Sequence, residues 1–270
     1  GDEPRPRHYD CLRGPGTRVF RPPTRTEIHP ISGVLFQTYV SGLDTTFNPF
    51  PLNHPGMATT ACVVTGDVVG SRSVEDREAL RDRLERGVAA ANEAVEDDLV
   101  APFAILKGVD EVAGVLASPA GVDRALRALG EAIHPTEMRF AVVRGTVDVG
   151  VDSGDVSRMD GPAFHRADEL METLASEDRY VGLDLGEGAD ATTVDLLEGL
   201  CDLLFAWKGE WTERQADLVG KYRDADSMTA VAEAEGVTVQ VVSKTLGRAG
   251  AETVLRTERR IGRGFDSLAV

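Results

Sequence analysis

From residue 57 onward, short apolar runs alternate with amphipathic stretches. Ala61-Cys62-Val63-Val64 is the continuous apolar run of a buried strand, ending at Gly66. Val74–Val95 sets Leu80, Leu84, Val88, Ala91 and Val95 on one helical face, with Ser73 and Asp76 as a capping-box-like start. Two strands, Phe103–Leu106 and Val112–Leu116, flank an acidic tip at Asp110-Glu111. Val122–Ile133 turns Val122, Ala125, Leu126, Leu129 and Ile133 inward and is stopped by Pro135. Met138–Val149 reads as a strand pair around Gly145. Gly161-Pro162 opens a helix with Ala163, Ala167, Leu170, Met171 and Leu174 inward. Tyr180–Leu185 alternates as a strand, and Val194–Phe205 is helical.

The order β-α-β-β-α-β, then α-β-α, predicts an α/β (α+β) fold, similar to a ferredoxin-like sandwich with an extra wing, over residues 57–208. Residues 209–270 are helical throughout, an all-α module. Residues 1–56 hold 9 of the 13 prolines and show no periodicity. They read as a disordered or spurious upstream extension, with the functional chain starting at Met57.

Charge adds a contrast to this picture. The chain carries −16, and only 4 of its 29 cations are lysine. Such acid-rich, lysine-poor composition resembles the proteins of salt-loving organisms, where negative surface maintains solubility. Residues 57–208 carry 14 cations against 30 acids, but residues 209–270 carry 9 against 10. A near-neutral module in so acidic a chain points to a polyanion as its partner. Cys11, Cys62 and Cys201 lie far apart, two of them in apolar runs, which fits free thiols in a reducing cytoplasm. No apolar run is long enough to cross a bilayer, so no membrane partner is expected.

The chemistry concentrates in Thr65-Gly66-Asp67-Val68-Val69-Gly70-Ser71-Arg72. A carboxylate, a glycine turn, a hydroxyl and an arginine stand at the carboxyl end of a strand, where open α/β sheets bind ligands. If the hairpin strands neighbour the first strand, Asp67 faces Asp110. Two facing carboxylates repel, and a hard cation such as Mg²⁺ relieves the repulsion. Asp67, Asp110 and Glu111 are therefore the candidate metal ligands. Gly66, Gly70, Ser71, Arg72 and Lys107 are candidates for contact with a phosphate-bearing small molecule. Lys107 equally suits an ion pair with a hairpin acid.

Asp67-Val-Val-Gly-Ser-Arg72, the acidic hairpin and Asp160-Gly-Pro-Ala-Phe-His-Arg-Ala167 together resemble the SatD family, over most of residues 57–260. The hairpin departs from the family pattern: Val109 precedes the Asp, and Val112-Ala113 replaces Phe-Gln. The same segments, with Arg139-Phe-Ala-Val-Val-Arg-Gly-Thr-Val147, are similar to the palm of class III nucleotide cyclases and GGDEF enzymes. That resemblance implies two carboxylates holding divalent ions that bridge phosphate oxygens. It adds Gly161, His165 and Arg166 to the ligand set and, because such palms pair, implies a homodimer. Where cyclases place Asn and Arg on the helix, this chain has His165 and Glu169. An anion there opposes the charge that develops in phosphoryl transfer.

In the carboxyl-terminal module, helices are expected from Trp211 to Val219, Met228 to Glu235 and Thr238 to Arg248, with a turn at Gly236. The spacing of Ala232, Gly236 and Val242, with Val231, Val237 and Leu246 as core, resembles a helix-turn-helix DNA reader. Glu235 departs by occupying a usually apolar slot. Thr238, Gln240, Val241, Ser243, Lys244 and Arg248 are the expected DNA-facing residues. The expected function is a regulator coupling a nucleotide- and Mg²⁺-binding palm to DNA. The alternative is an enzyme acting on nucleoside triphosphates. Trp207 and Trp211 are expected in the core between the two parts.

Overall fold

The ten-residue strand β1 (Thr59–Val68) is the axis of the chain. Its even positions Cys62, Val64 and Val68 enter one apolar core and its odd positions Ala61 and Val63 another. That is the alternation of a strand buried on both faces. The structure is a computed structural model that describes residues 58–269 apart from Val109, with Lys107 described by its backbone alone. The expected extension over residues 1–56, and Cys11 within it, lie outside the described residues.

Four more strands complete a mixed sheet: β2 (Leu99–Lys107), β3 (Glu111–Leu116), β4 (Met138–Val147) and β5 (Val181–Asp184). The order is β2-β3-β1-β4-β5, antiparallel except for the parallel β4–β5 pair. Eight α-helices accompany it among the described residues: α1 (Arg77–Ala94), α2 (Val122–Ile133), α3 (Pro162–Glu177), α4 (Ala191–Gly209), α5 (Glu213–Ala225), α6 (Met228–Glu235), α7 (Val239–Ala249) and α8 (Ala251–Leu268). Helices α1, α2, α4 and α8 supply side chains to the core on one face of the sheet. Helix α3 covers the other face with Ala163, Ala167 and Leu174. A third core holds α5 to α8 around Trp211, Leu218, Val242 and Leu246.

Several elements differ from the sequence reading. Strand β1 does not end at Gly66. Met138 and Val112 fill the space a Cβ would take there, at 2.8 and 2.9 Å, so the ladder continues through Asp67 to Val68. Met138–Val147 is one continuous strand, because Gly145 pairs in register with Ala61 and admits Ala163 of α3 close above it. Helix α1 is capped by Asp76, whose carboxylate accepts from Ala79 N–H at 2.9 Å. Ser73 instead donates its hydroxyl to the Gly70 carbonyl. Trp211 is buried as expected, but Trp207 is 53% exposed, with only its indole N–H tied, to the Ala249 carbonyl.

Helix α8 joins the parts. Val254 and Leu255 lie in the third core, while Ile261 and Phe265 lie in the first. Beside it, Arg223 of α5 forks onto Glu131 of α2 through two bonds of 2.8 and 2.7 Å. Lys208 of α4 bridges Glu131 at 2.8 Å and Glu258 of α8 at 2.6 Å. A buried pair of this kind fixes geometry more than it adds stability. The apolar residues dominate: truncating Phe265 to alanine is expected to cost about 3–5 kcal/mol.

Burial opposes ionisation of Glu131, but Lys208 and Arg223 outweigh it and hold its carboxyl down at about 2, against 4.5 for a free one. The group therefore supports the fold fully above pH 4.5, and that support fades as pH falls from 4.5 toward 2. Chemical denaturation of Glu131→Gln should show a loss of roughly 1–3 kcal/mol at pH 7. The gap from wild type should narrow steadily across the acid range.

Candidate functional site

The end of β1 and the tip of the β2–β3 hairpin are tied by backbone. Val68 N–H donates to the Asp110 carbonyl at 2.9 Å, and Asp67 lies in register with Glu111 on one side and Arg139 on the other. After Val69 the chain turns at Gly70, which takes the left-handed φ of 66°, into a short 3-10 turn over Ser71–Ser73. That turn brings the buried Ser71 back, so its hydroxyl donates to Asp110 Oδ2 at 2.8 Å. Arg72 stays exposed beside it. Gly66 is buried in the strand and offers a ligand no surface. The sequence put Asp67, Gly70, Ser71, Arg72, Asp110 and Glu111 at one rim, but the residue that faces Asp67 in the ladder is Glu111, not Asp110 as expected. It missed Arg139, which β-alternation on β4 puts opposite Asp67.

The electrostatics are those of crowded acids. Burial raises the Asp67 carboxyl above its ordinary value, the Asp110 charge raises it further, and Glu111 adds to this against Arg139 and Arg72. Arg139 relieves part of this, while also engaged by the Arg179 carbonyl at 3.1 Å and by Asp178 at 3.0 Å. Among the described residues, no group of three or more His, Cys, Asp and Glu side chains is arranged to hold a metal ion. Two carboxylates and a hydroxyl do not make a closed cage.

Gly161, His165 and Arg166 do not join this set. Strand β4 pairs Arg139 with Asp67 at one end and Gly145 with Ala61 at the other, and α3 starts beside Gly145. Six strand positions separate the two, about 20 Å. Each of the three has a local role there. Gly161, at φ 147°, has no room for a Cβ, which would lie 2.9 Å from the Thr146 carbonyl. His165 lies 3.2 Å from Asp160, and Arg166 holds Asp184 at 2.7 Å and Glu169 at 3.0 Å. The motif resemblance carried no information about which end of the strand the helix starts from.

In the carboxyl-terminal part, α6 ends at Gly236, whose φ of 63° turns the chain into α7. Val231, Ala232, Val242 and Leu246 are buried between them. Thr238, Gln240, Val241, Ser243, Lys244 and Arg248 are all exposed. Glu235, out of place in an apolar slot, is explained by Lys221 and Arg214, whose hydrogen bonds hold its carboxyl below the usual range.

The raised Asp67 carboxyl has a measurable consequence. A carboxyl raised by folding costs stability above its folded value and costs nothing once both states are protonated. Asp67→Asn should therefore melt higher than wild type at pH 7 in metal-free buffer. The gain should vanish as pH falls toward 3.8, the ordinary value.

Comparison with known proteins gives one strong result. No curated protein matches the chain. A solved bacterial light-regulated adenylyl cyclase superposes with a TM-score of 0.36 at 12% identity, over 50% of this chain and 45% of that one. This chain therefore spans less than half of that protein's length. A regulator of polyketide synthase expression from Bifidobacterium adolescentis superposes with a TM-score of 0.23 at 16% identity, over 76% of this chain and 80% of that one. Both scores are too low to bear on function. The family model described as the SatD family matches residues 61–262, more than half of the sequence, with the strand-end motif and the acidic hairpin inside the match. The chain belongs to the SatD family.

Proposed function

We propose that this protein is a regulator in which a phosphate-bearing ligand is sensed at the Asp67–Asp110 strand end and DNA is read by α7. The β-α-β-β-α-β order with strands arranged β2-β3-β1-β4 supports reading the sensing part as a ferredoxin-like palm, with α3, β5 and α4 as its wing. Asp67 and Asp110 would hold Mg²⁺, which would neutralise charge on the ligand phosphate. Ser71 fixes the Asp110 carboxylate, and Arg72 offers a mobile cation to the same phosphate.

The observation that carries the DNA reading is the outward face of α7. Its exposed polar side chains Gln240, Ser243, Lys244 and Arg248, with Thr238 at the N-cap and Val241 between them, have no polar partner among the described residues. On α5, by contrast, Arg214, Lys221 and Arg223 are all ion-paired. On such a helix Gln suits adenine, and Lys and Arg suit guanine or phosphate. Coupling requires two arrangements of the chain that differ in ligand affinity.

The expected outcome in an electrophoretic shift assay is a retarded genomic fragment whose mobility or affinity changes on Asp110→Ala. Absence of a shift on every genomic fragment removes the DNA reading. Lys244→Ala and Arg248→Ala should each weaken binding and reduce the slope of log affinity against log salt by about 1.

A second reading, nucleotidyl transfer, rests on the paired carboxylates alone. Against turnover stands Arg166, which is bound to two acids at the far end of β4, and Arg139, which is spent on Asp178. Incubation with each nucleoside triphosphate and Mg²⁺ decides it: the regulator reading expects no new product.

A further inference from the structure

A cavity lies on the face of the sheet opposite Asp67. It has a volume of about 490 Å³, between α1, α2, the start of β4, α4 and α5, and is partly open to solvent. Met138, which lines it, belongs to the core that α1 and α2 share, whereas Asp67 and Arg139 alternate toward the α3 side. A volume of this size suits a small organic molecule.

One wall is cationic. Arg83 and Arg86 of α1 and Arg127 of α2 line it. Arg83 donates to the His134 carbonyl at 3.1 Å and reaches Glu213 only at 3.9 Å. Arg86 and Arg127 make no ion pair or hydrogen bond to any described residue, and Arg127 meets the Asp123 charge only at longer range. Three of the four acids that line the cavity are otherwise engaged, and the fourth, Glu213, is exposed and 3.9 Å from Arg83. Glu131 is held by Lys208 and Arg223, Asp217 by Lys221 and Arg214, and Glu137 by the Tyr180 hydroxyl at 2.9 Å. In a chain of net charge −16, this leaves Arg86 and Arg127 facing the cavity without a close counter-charge.

The opposite wall is apolar and aromatic, with Met138, Phe205 and Trp211. His134 also lines the cavity, and its Nε2 is buried with no hydrogen-bond partner. Burial keeps the imidazole below its ordinary value, and its other nitrogen is engaged by the Trp211 backbone. The Nε2 nitrogen is buried out of reach of the cavity space and offers a ligand no contact. Guanidinium groups select an oxyanion, and the rings select a planar body.

We propose that this cavity is a binding site for a small organic oxyanion: a carboxylate or phosphate monoester carried on an aromatic or heteroaromatic ring. The site is separate from the Asp67–Asp110 strand end and does not depend on it. Its walls come from the sheet side (α1, α2, β4) and from α4 and α5, so an occupant would strengthen the joint that Glu131, Arg223 and Lys208 already make.

The experiment is titration of the full chain with 4-hydroxybenzoate, with adenosine monophosphate and with inorganic phosphate, followed by tryptophan emission and calorimetry. Trp211 lines the cavity and reports on it. The expected result is saturable binding of one of the two ring-bearing probes. Arg86→Ala/Arg127→Ala should weaken it roughly tenfold or more. Gly220→Leu should block it while leaving the fold intact, because Gly220 lines the cavity from α5 and a Cβ there meets nothing within 4 Å. An unchanged circular-dichroism melt checks that point. Asp110→Ala should leave binding unchanged, which separates this site from the proposed sensing site. The proposal is overturned if no ring-bearing probe binds up to millimolar concentration, if Gly220→Leu binds as wild type does, or if Asp110→Ala abolishes binding. Equal affinity for inorganic phosphate overturns it as well.

Discussion

A single backbone hydrogen bond, from Val68 N–H to the Asp110 carbonyl, determines where the chemistry of this chain sits. It closes the end of β1 against the β2–β3 hairpin and forces two carboxylates to the same rim of the sheet. Nothing in the fold neutralises them fully. Ser71 orients Asp110, and Arg139 is held mainly by Asp178 and the Arg179 carbonyl, so Asp67 carries the strain as a raised carboxyl.

The remainder of the architecture serves to hold that rim and to connect it to the carboxyl-terminal helices. The sheet is covered on both faces, so β1 cannot slip register without moving an entire buried row. Helix α8 belongs to two cores at once, and the Glu131–Lys208–Glu258–Arg223 cluster fixes the angle at which α2, α4, α5 and α8 meet. Apolar burial supplies the energy of that joint and the ion pairs supply its geometry.

The sequence was most legible where periodicity is strong and the stop signals are plain. Helix α2 spans Val122–Ile133 as its apolar spacing and Pro135 indicate, and α6 and its turn lie at Met228–Glu235 and Gly236 as expected. It was least legible at glycines whose role is set by a neighbour. Gly66 and Gly145 resemble strand ends in isolation, yet Met138, Val112 and Ala163 fill the space above them and let the ladder run on. Half of the candidate site was recoverable, because Asp67, Ser71 and Asp110 are brought together by local strand pairing. The other half was not, because the placing of Gly161, His165 and Arg166 depends on where α3 crosses the sheet. The arginine-lined cavity was invisible to sequence reasoning, since Arg83 and Arg127 come from two helices and Trp211 from the link between α4 and α5, with no shared motif.

The central claim is that Asp67 and Asp110 form a charge-frustrated pair that a cation-bearing phosphate relieves. It is tested most directly by carboxyl-carbon nuclear magnetic resonance of both residues, titrated with pH in metal-free buffer and again with Mg²⁺ and adenosine triphosphate. The account predicts an Asp67 carboxyl above its ordinary value of 3.8 in the first titration and a clear drop in the second. An Asp67 that titrates as a free carboxyl, or one that is indifferent to Mg²⁺ and nucleotide together, would contradict it.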